Sequence, residues 1–313
     1  MDVSLILSLH QIICMFDIRV WVKAARLRTL PLAFASIILG TALAAERGHF
    51  DGLTFFLALL TTLFYQVLSN YANDYGDGIK GTDDNRVGEQ RAIASGLISA
   101  AAMKKAVIIF SILSFMSGTT LSFWASRNND LQIGFFFTAL GIIAILAAIK
   151  YTVGKKAYGY SGLGDISVLV FFGWVGVGGS FFLQTMVWDF AVLLPASATG
   201  FLAMAVLNLN NMRDIETDRT AGKKTLALKL GLSKAKIYHA LLLILAFDFA
   251  FVYNRLNPGS FWQNLYFVSL PFLVFNLLKV RKANVAEDFE PLLKQMALST
   301  LLFAITYGLG QLL

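Results

Sequence analysis

Long blocks of apolar residues, separated by shorter polar stretches, dominate the chain from about residue 29 onward. Each block is long enough to cross about 30 Å of hydrocarbon as a helix. The apolar residues run continuously instead of alternating with polar ones, which argues against a strand barrel. The pattern predicts an all-α, polytopic membrane protein with nine transmembrane helices. The predicted spans are 29–45, 52–72, 101–124, 131–149, 162–183, 189–209, 235–253, 262–279 and 295–312.

Composition supports this class of protein. Of 313 residues, 57% are hydrophobic and 14% are charged, whereas a soluble domain carries about 25% charged residues. The single cysteine, Cys14, excludes an intrachain disulfide and a metal–thiolate cluster. We expect residues 1–28 to form an N-terminal segment, and residues 29–313 to form one transmembrane domain around a central cavity capped by loops.

The distribution of Lys and Arg predicts the orientation of the chain. With nine spans, the N-terminus and the loops after spans 2, 4, 6 and 8 share one side, and this side holds all but three of the 26 Lys and Arg residues. The three on the opposite side are Arg47, Arg127 and Arg255. Because positively charged loops stay in the cytoplasm, we expect the N-terminus and these loops on the cytoplasmic side of a cell (inner) membrane. The net charge of +7 then reflects topology and contact with anionic lipid, without nucleic acid as a partner.

The loop after span 2 is dense in carboxylates. It reads SNYANDYGDGIKGTDDNRVGEQR and contains Asp74, Asp77, Asp83 and Asp84. Such charges repel one another near a low-dielectric boundary, and Mg²⁺, which takes one or two carboxylates together with phosphate oxygens and water, relieves the repulsion. If span 2 stays helical to its end, Asn73 and Asp77 lie one turn apart with Asp74 beside them. Taken alone, the run fits a metal site and a solvated acidic loop equally well.

A second pair of carboxylates follows span 6, in the stretch NLNNMRDIETDRTAGKKT. Asp214 and Asp218 are an i, i+4 pair, and Asn210, Asn211 and Arg213 precede them. Two carboxylate clusters at the cytoplasmic ends of even-numbered spans can face each other across a central cavity. Each would hold a metal ion, and both ions would bridge one diphosphate. Lys223 and Lys224 follow and are placed to add positive charge.

The loop after span 4 reads KYTVGKKAYGYSGLGD. Tyr151 and Lys155 are i, i+4 partners if that stretch is helical, and a lysine is a good point-charge ligand for phosphate. By itself, Lys155 is more simply interpreted as a cytoplasmic cation of the ordinary kind, and so are Arg26 and Arg28 before span 1.

Three motifs in this order, N-D-x-x-D, Y-x-x-x-K and D-x-x-x-D on one side of the membrane, resemble those of the UbiA-type superfamily of intramembrane aromatic prenyltransferases. The resemblance extends over nearly the whole chain, since loop order and helix count also agree. Within the superfamily, ARLRTLPLA, SNYANDYGDGIKGTDD, YTVGKKAYGYSGLGD and GKKTLA resemble the enzymes that prenylate 1,4-dihydroxy-2-naphthoate in menaquinone biosynthesis. Gly81 stands where many superfamily members have a further Asp; Asp83 and Asp84 are its candidate replacements, and the naphthoate enzymes share this departure.

The resemblance implies a Mg²⁺-dependent transfer from an all-trans polyprenyl diphosphate to 1,4-dihydroxy-2-naphthoate, with loss of CO₂ and diphosphate, giving demethylmenaquinol. It places Asn73, Asp74, Asp77, Asp214 and Asp218 at the metal, with the aspartates and Lys155 in catalysis and Tyr151 at the substrate. Arg26, Asn73, Asn211 and Lys223 are further candidates for substrate binding. Asp165, entering span 5, is costly there unless it faces the cavity, so it is a candidate for orienting the acceptor. We expect contact with membrane lipid and no obligate protein partner.

Two other functions remain open on the sequence. One is a prenyltransferase for another acceptor, such as 4-hydroxybenzoate, homogentisate or haem, because no single residue reads out the shape of the ring. The other is an ion-coupled secondary transporter. Transporter sites lie near the bilayer midplane, whereas the acids here cluster at helix ends, which argues against that function.

Overall fold

The computed structural model describes residues 17–82, 91–154 and 156–313. Across these ranges, nine helices are long and apolar enough to cross a membrane, and each overlaps one of the predicted spans, so the prediction of a nine-helix membrane protein is confirmed. We name them α1 to α9 and refer to shorter helices by their residues. They are α1 Leu30–Glu46, α2 Gly52–Gly78, α3 Ala100–Ala125, α4 Leu131–Lys150, α5 Gly164–Thr185, α6 Leu193–Arg213, α7 Leu232–Leu256, α8 Phe261–Lys282 and α9 Ala286–Leu312.

Two helices run well past the ends that hydropathy predicts. α2 continues beyond residue 72 to Gly78, so the polar residues of the first motif lie on a helix, as the sequence required for Asn73 and Asp77 to share a face. α9 begins at Ala286 instead of 295, and Asp288 in its first turn accepts the backbone N–H groups of Asn284 and Val285. Both extensions are polar, so a hydropathy pattern leaves them out.

The middle of α5 departs from regular α-helix. Leu169–Gly178 is π-helical, between α-helical ends. A π-helical stretch leaves backbone carbonyls that need other partners, and the Ser36 hydroxyl of α1 donates to the Phe172 carbonyl at 2.5 Å. Small residues allow α5 to approach its neighbours closely: a Cβ built on Gly173 would lie 2.7 Å from the Ala196 carbonyl oxygen of α6.

The helices pack as two groups with a space between them. One buried cluster joins α1 with α5 to α9, and a second joins α2, α3 and α4 with the short helix Ile18–Ala25. The groups meet near the ends where α1, α3 and α5 finish, through Ile37, Leu121 and Leu183. The space therefore closes at that end and extends toward the other, where α2, α4 and α6 end. We call the latter side of the bundle the motif face.

Close packing between α1 and α5 gives a direct test of this arrangement. A Cβ on Gly40 would lie 2.3 Å from the Val177 carbonyl oxygen and 2.8 Å from the Ser180 Cβ. We predict that Gly40→Ala lowers stability by about 1–3 kcal/mol, because the backbone must move. Gly179→Ala is the matched control, since its Cβ meets nothing nearer than 3.8 Å and alanine is the better helix former by about 1 kcal/mol. Thermal unfolding in detergent measures both, and equal melting of the two variants would contradict the packing.

Candidate active site

A polar cavity of about 230 Å³ lies between the two helix groups at the motif face. Residues of α1, α2, α5, α6 and α9 line it, together with the loops after α2, α4 and α6. A mostly apolar tunnel of about 380 Å³ adjoins the cavity. It is enclosed by α1, α2, α3, α4 and α5 and extends into the membrane-spanning part. Asn73, Tyr151 and Phe172 line both spaces, so the cavity and the tunnel share a wall.

One stripe of α2 supplies polar groups to the cavity. Gln66, Asn70, Asn73 and Asp77 all line it, because steps of three and four residues stay on one helical face. Asn70 donates to the Ala25 carbonyl oxygen at 2.8 Å, which ties the segment before α1 to this wall. Asn73 and Asp77 therefore lie where the sequence places a metal and diphosphate site.

Asp74 points away from that stripe. Its carboxylate is buried and accepts the backbone N–H groups of Ala92 (3.0 Å) and Ile93 (3.2 Å), and it does not line the cavity. The expectation that Asp74 stands beside Asn73 and Asp77 at the metal therefore does not match its position. Successive residues of a helix point about 100° apart, so Asp74 does not share the face of Asn73. Its carboxylate instead accepts hydrogen bonds from the turn that follows α2.

α6 ends where the second carboxylate pair begins. Its last residue is Arg213, Asp214 caps it, and a separate short helix, Ile215–Thr220, carries Asp218. The two aspartates are thus on either side of a helix break, yet the Asp218 N–H still donates to the Asp214 carbonyl oxygen at 2.7 Å. Both side chains are buried, and they line the cavity together with Asn211.

The two motifs meet across the cavity at Lys223. Its ammonium nitrogen lies 3.6 Å from Asp77 Oδ2 and 3.4 Å from Asp218 Oδ1. Arg91 adds a second cation, with Nη2 4.0 Å from the same Asp77 oxygen. Buried carboxylates brought together in this way need a positive charge between them. The structure thus brings Asp77, Asp218 and Lys223, which the sequence places in different loops, into one cluster.

Asp214 is held by a different cation. Arg213 donates from Nε and Nη2 to the two oxygens of Asp214, at 2.7 and 2.8 Å, in a fork geometry. Its Nη1 donates to Glu290 of α9 at 2.5 Å, and Glu290 also accepts from Arg28 Nη1 at 2.6 Å. Sequence reasoning missed Glu290, because it lies before the predicted start of the last span and belongs to no motif.

The cavity also has a set of basic residues, which come from the segment before α1 and from α6 and α9. Arg26, Arg28, Arg213 and Lys294 line the cavity. Arg26 has a φ of +49°, a conformation that is strained for a residue other than glycine. The turn is secured because its carbonyl oxygen accepts from the Thr29 N–H and hydroxyl, both at 2.9 Å. We call Asn73, Asp77, Asp214 and Asp218 the acidic edge of the cavity, and Arg26, Arg28 and Lys294 its basic edge.

The loop after α4 is a turn and not a helix. α4 ends at Lys150, Tyr151 caps it, and Gly154 has a φ of +99°. Lys155 lies outside the described residues, as do Asp83 and Asp84, so the i, i+4 relation expected between Tyr151 and Lys155 stays a prediction. Tyr151 lines the cavity, with its ring edge-on to Tyr158, and burial raises the pKa of its hydroxyl.

Asp165 is buried but does not reach the cavity. Its Oδ1 accepts the hydroxyl of Tyr238 on α7 at 2.9 Å, and it does not line either space. The expectation that it orients an acceptor is therefore not met by its position. A buried carboxylate needs a hydrogen-bond partner, and here a neighbouring helix provides it.

The donor set of the cavity suits Mg²⁺. Asn73, Asp77, Asp214 and Asp218 present oxygen atoms, which this ion prefers, and the Lys223 ammonium between two of the carboxylates shows that the position stabilises a cation. In the part of the chain that the structure describes, no three His, Cys, Asp or Glu side chains converge to form a complete cage.

The position of Asp74 predicts a structural role. Asp74→Asn leaves one acceptor oxygen for two buried N–H groups, so we expect a loss of about 1–3 kcal/mol of stability. Peptides covering residues 91–99 should also exchange their amide hydrogens faster. Asp130→Asn is the matched control, because Asp130 caps α4 at an exposed site and asparagine caps equally well. Unchanged melting and exchange in Asp74→Asn would show that the turn does not depend on this carboxylate.

Comparison with known proteins finds relatives that align over almost the whole chain. Residues 33–302 match the UbiA prenyltransferase family. The chain is 47% identical over 301 residues to a 1,4-dihydroxy-2-naphthoate octaprenyltransferase of Haemophilus influenzae, covering 95% of this chain and 96% of the relative. It is 45% identical to the enzyme of the same name from Escherichia coli, covering 93% and 94%.

Solved structures show the same fold at low sequence identity. A UbiA homolog from Aeropyrum pernix K1 superposes with a TM-score of 0.65 at 14% identity, covering 88% of this chain and 94% of that one. A UbiA homolog from Archaeoglobus fulgidus bound to DMAPP and Mg²⁺ has a TM-score of 0.56 at 18% identity, covering 91% and 98%. On the match to the family and the identity to its full-length relatives, this chain belongs to the UbiA prenyltransferase family.

Proposed function

We propose that this protein is a Mg²⁺-dependent 1,4-dihydroxy-2-naphthoate polyprenyltransferase. It transfers a polyprenyl group from an all-trans polyprenyl diphosphate and releases diphosphate and CO₂, forming demethylmenaquinol. The observation that carries the proposal is the pair Asp77 and Asp218, which face each other through Lys223 beside an apolar tunnel. Two relatives that align over almost their full length are named 1,4-dihydroxy-2-naphthoate octaprenyltransferases, which supports this naphthoate as the acceptor.

The acidic edge of the cavity is the proposed site of the diphosphate. Asn73, Asp77, Asp214 and Asp218 would hold Mg²⁺, which when bound neutralises the charge that develops on the leaving diphosphate. Lys223 donates to the phosphate oxygens from the same edge, and the motif assigns the same role to Lys155. Charged groups that are in place when the bond breaks stabilise a departing anion with little reorganisation in that step.

The tunnel is the proposed site of the isoprenoid tail. On α2 its lining residues extend from Ala58 to Asn73, which at 1.5 Å per residue is about 22 Å along the helix. Its wall is mainly aliphatic and aromatic, with Phe137, Phe171 and Phe172 among its residues. Such a wall matches an all-hydrocarbon chain and keeps water from the allylic carbon next to the diphosphate.

The basic edge is the proposed site of the acceptor carboxylate. Arg26, Arg28 and Lys294 line the cavity, and their positive charge would pair with the carboxylate of the acceptor. The electron-rich ring then attacks the allylic carbon as its bond to the diphosphate breaks, and the carboxylate leaves as CO₂ with its bonding electrons returned to the ring. We also propose that the motif face is cytoplasmic, in an inner membrane, because its loops carry most of the positive charge.

Product formation tests the reaction class and the acceptor together. Purified protein given farnesyl diphosphate, 1,4-dihydroxy-2-naphthoate and Mg²⁺ should yield a prenylated naphthoquinol and CO₂. It should yield no product when EDTA replaces Mg²⁺, or when 4-hydroxybenzoate replaces the naphthoate.

The Asp218 carboxylate is tested by substitution. Asp218→Asn should lower turnover about 100-fold or more, as expected for a lost electrostatic group. Glu216→Gln should not, because Glu216 is exposed on the same short helix and pairs with Arg219. Product from the benzoate alone would overturn the acceptor, and full activity of Asp218→Asn would overturn the site.

Recognition of the acceptor carboxylate makes a separate prediction. Arg28→Gln should raise KM for 1,4-dihydroxy-2-naphthoate about 10- to 100-fold, the effect of losing a hydrogen bond to a charged group, while KM for the prenyl diphosphate stays the same. Arg219→Gln is the control, since Arg219 is an exposed cation of the same face. If KM for the diphosphate rises instead, Arg28 belongs to the donor site.

A further inference from the structure

Tyr160 lies where three loops of the motif face meet. Its hydroxyl donates to Asp77 Oδ1 at 2.6 Å, which connects it to the end of α2. Its carbonyl oxygen accepts the Lys224 N–H at 2.9 Å, which connects it to the loop after α6. The residue itself belongs to the loop after α4 and lines the cavity. It lies within the stretch YTVGKKAYGYSGLGD but outside the three short motifs.

The ring of Tyr160 also contacts two cations. The ammonium nitrogen of Lys80 lies 4.0 Å from the ring centroid and that of Lys223 lies 4.9 Å from it, both within the range of a cation–π interaction. Lys80 is held in place because it donates to the Thr152 carbonyl oxygen at 2.6 Å. Lys223 is the cation between the two motif carboxylates. One side chain therefore contacts both the metal-ligand candidate Asp77 and its counter-ion.

Backbone contacts fix the position of Tyr160. The Gly159 N–H donates to the Tyr151 carbonyl oxygen at 3.0 Å, and a Cβ on Gly159 would lie 2.7 Å from that oxygen. Gly162 ends the turn with a φ of +84°, where a Cβ would lie 2.7 Å from the Lys224 carbonyl oxygen. Such a turn holds the phenol in one place, which is what a supporting residue of a metal site requires.

The two oxygens of Asp77 consequently have different surroundings. Oδ1 takes the Tyr160 hydroxyl, while Oδ2 faces Lys223 and Arg91. We propose that Tyr160 is a positioning residue that directs Asp77 Oδ2 toward the bound cation and holds Lys223 beside it. The inference rests on the proposed function of the cavity and adds to it a residue outside the three motifs.

The test is Tyr160→Phe, which keeps the ring and removes the hydroxyl. Binding of Mn²⁺ alone, followed by electron paramagnetic resonance on the substrate-free protein in detergent, should weaken about tenfold. The Mg²⁺ concentration for half-maximal turnover should rise by the same factor, with KM for the naphthoate unchanged. Tyr158→Phe is the matched control for Mn²⁺ affinity, because its hydroxyl donates to the Ala147 carbonyl oxygen from the same turn.

A double variant makes the result independent of any general loss of stability. Asp77→Asn should weaken Mn²⁺ binding, and adding Tyr160→Phe to it should weaken binding no further, since the hydroxyl acts through this carboxylate. Mn²⁺ affinity of Tyr160→Phe equal to that of the unaltered protein, or an additive loss in the double variant, would overturn the proposal. Because the Mn²⁺ titration needs no product, these outcomes are separate from a failure of the unaltered protein to prenylate the naphthoate, which would overturn the function.

Discussion

The repulsion between Asp77 and Asp218, offset by the Lys223 ammonium, is the interaction on which the rest of the site depends. Each carboxylate comes from a different group of helices, so the cavity between the groups exists in this form only if a cation compensates both charges. Two buried anions without such a cation would cost several kcal/mol. The same position that needs a cation in the protein itself is therefore suited to a divalent ion carrying a diphosphate. The membrane helices serve mainly to hold these loops at the end of an apolar tunnel.

Charged side chains that line the cavity form two groups of ion pairs. Asp77, Asp218 and Lys223 form one of them. The other runs from Asp214 through Arg213 and Glu290 to Arg28, and so links α6 and α9 with the segment before α1. Such a chain fixes long side chains at little further entropic cost, because each one is already held by its neighbour.

The sequence predicted the helices well, because an apolar run long enough to cross the hydrocarbon must form a helix that pairs its own backbone groups. It also predicted that Asp77 and Asp218 would meet, since even-numbered spans end on one side. It did not predict the direction of Asp74 or Asp165, because both are decided by partners elsewhere in the fold: two N–H groups of the 92–93 turn and the Tyr238 hydroxyl. Glu290 was not predicted as a site residue for the same reason, because its partners Arg28 and Arg213 are distant in the chain.

The most direct test of the central claim is the position of the metal itself. Anomalous scattering from Mn²⁺, in crystals grown with a prenyl thiodiphosphate that does not react, locates the ion and the diphosphate together. We predict that Asp77 and either Asp214 or Asp218 coordinate Mn²⁺, and that the Lys223 ammonium moves from between the carboxylates to a phosphate oxygen. Mn²⁺ bound at Asp74, or a diphosphate held at the basic edge with Lys223 still between Asp77 and Asp218, would contradict it.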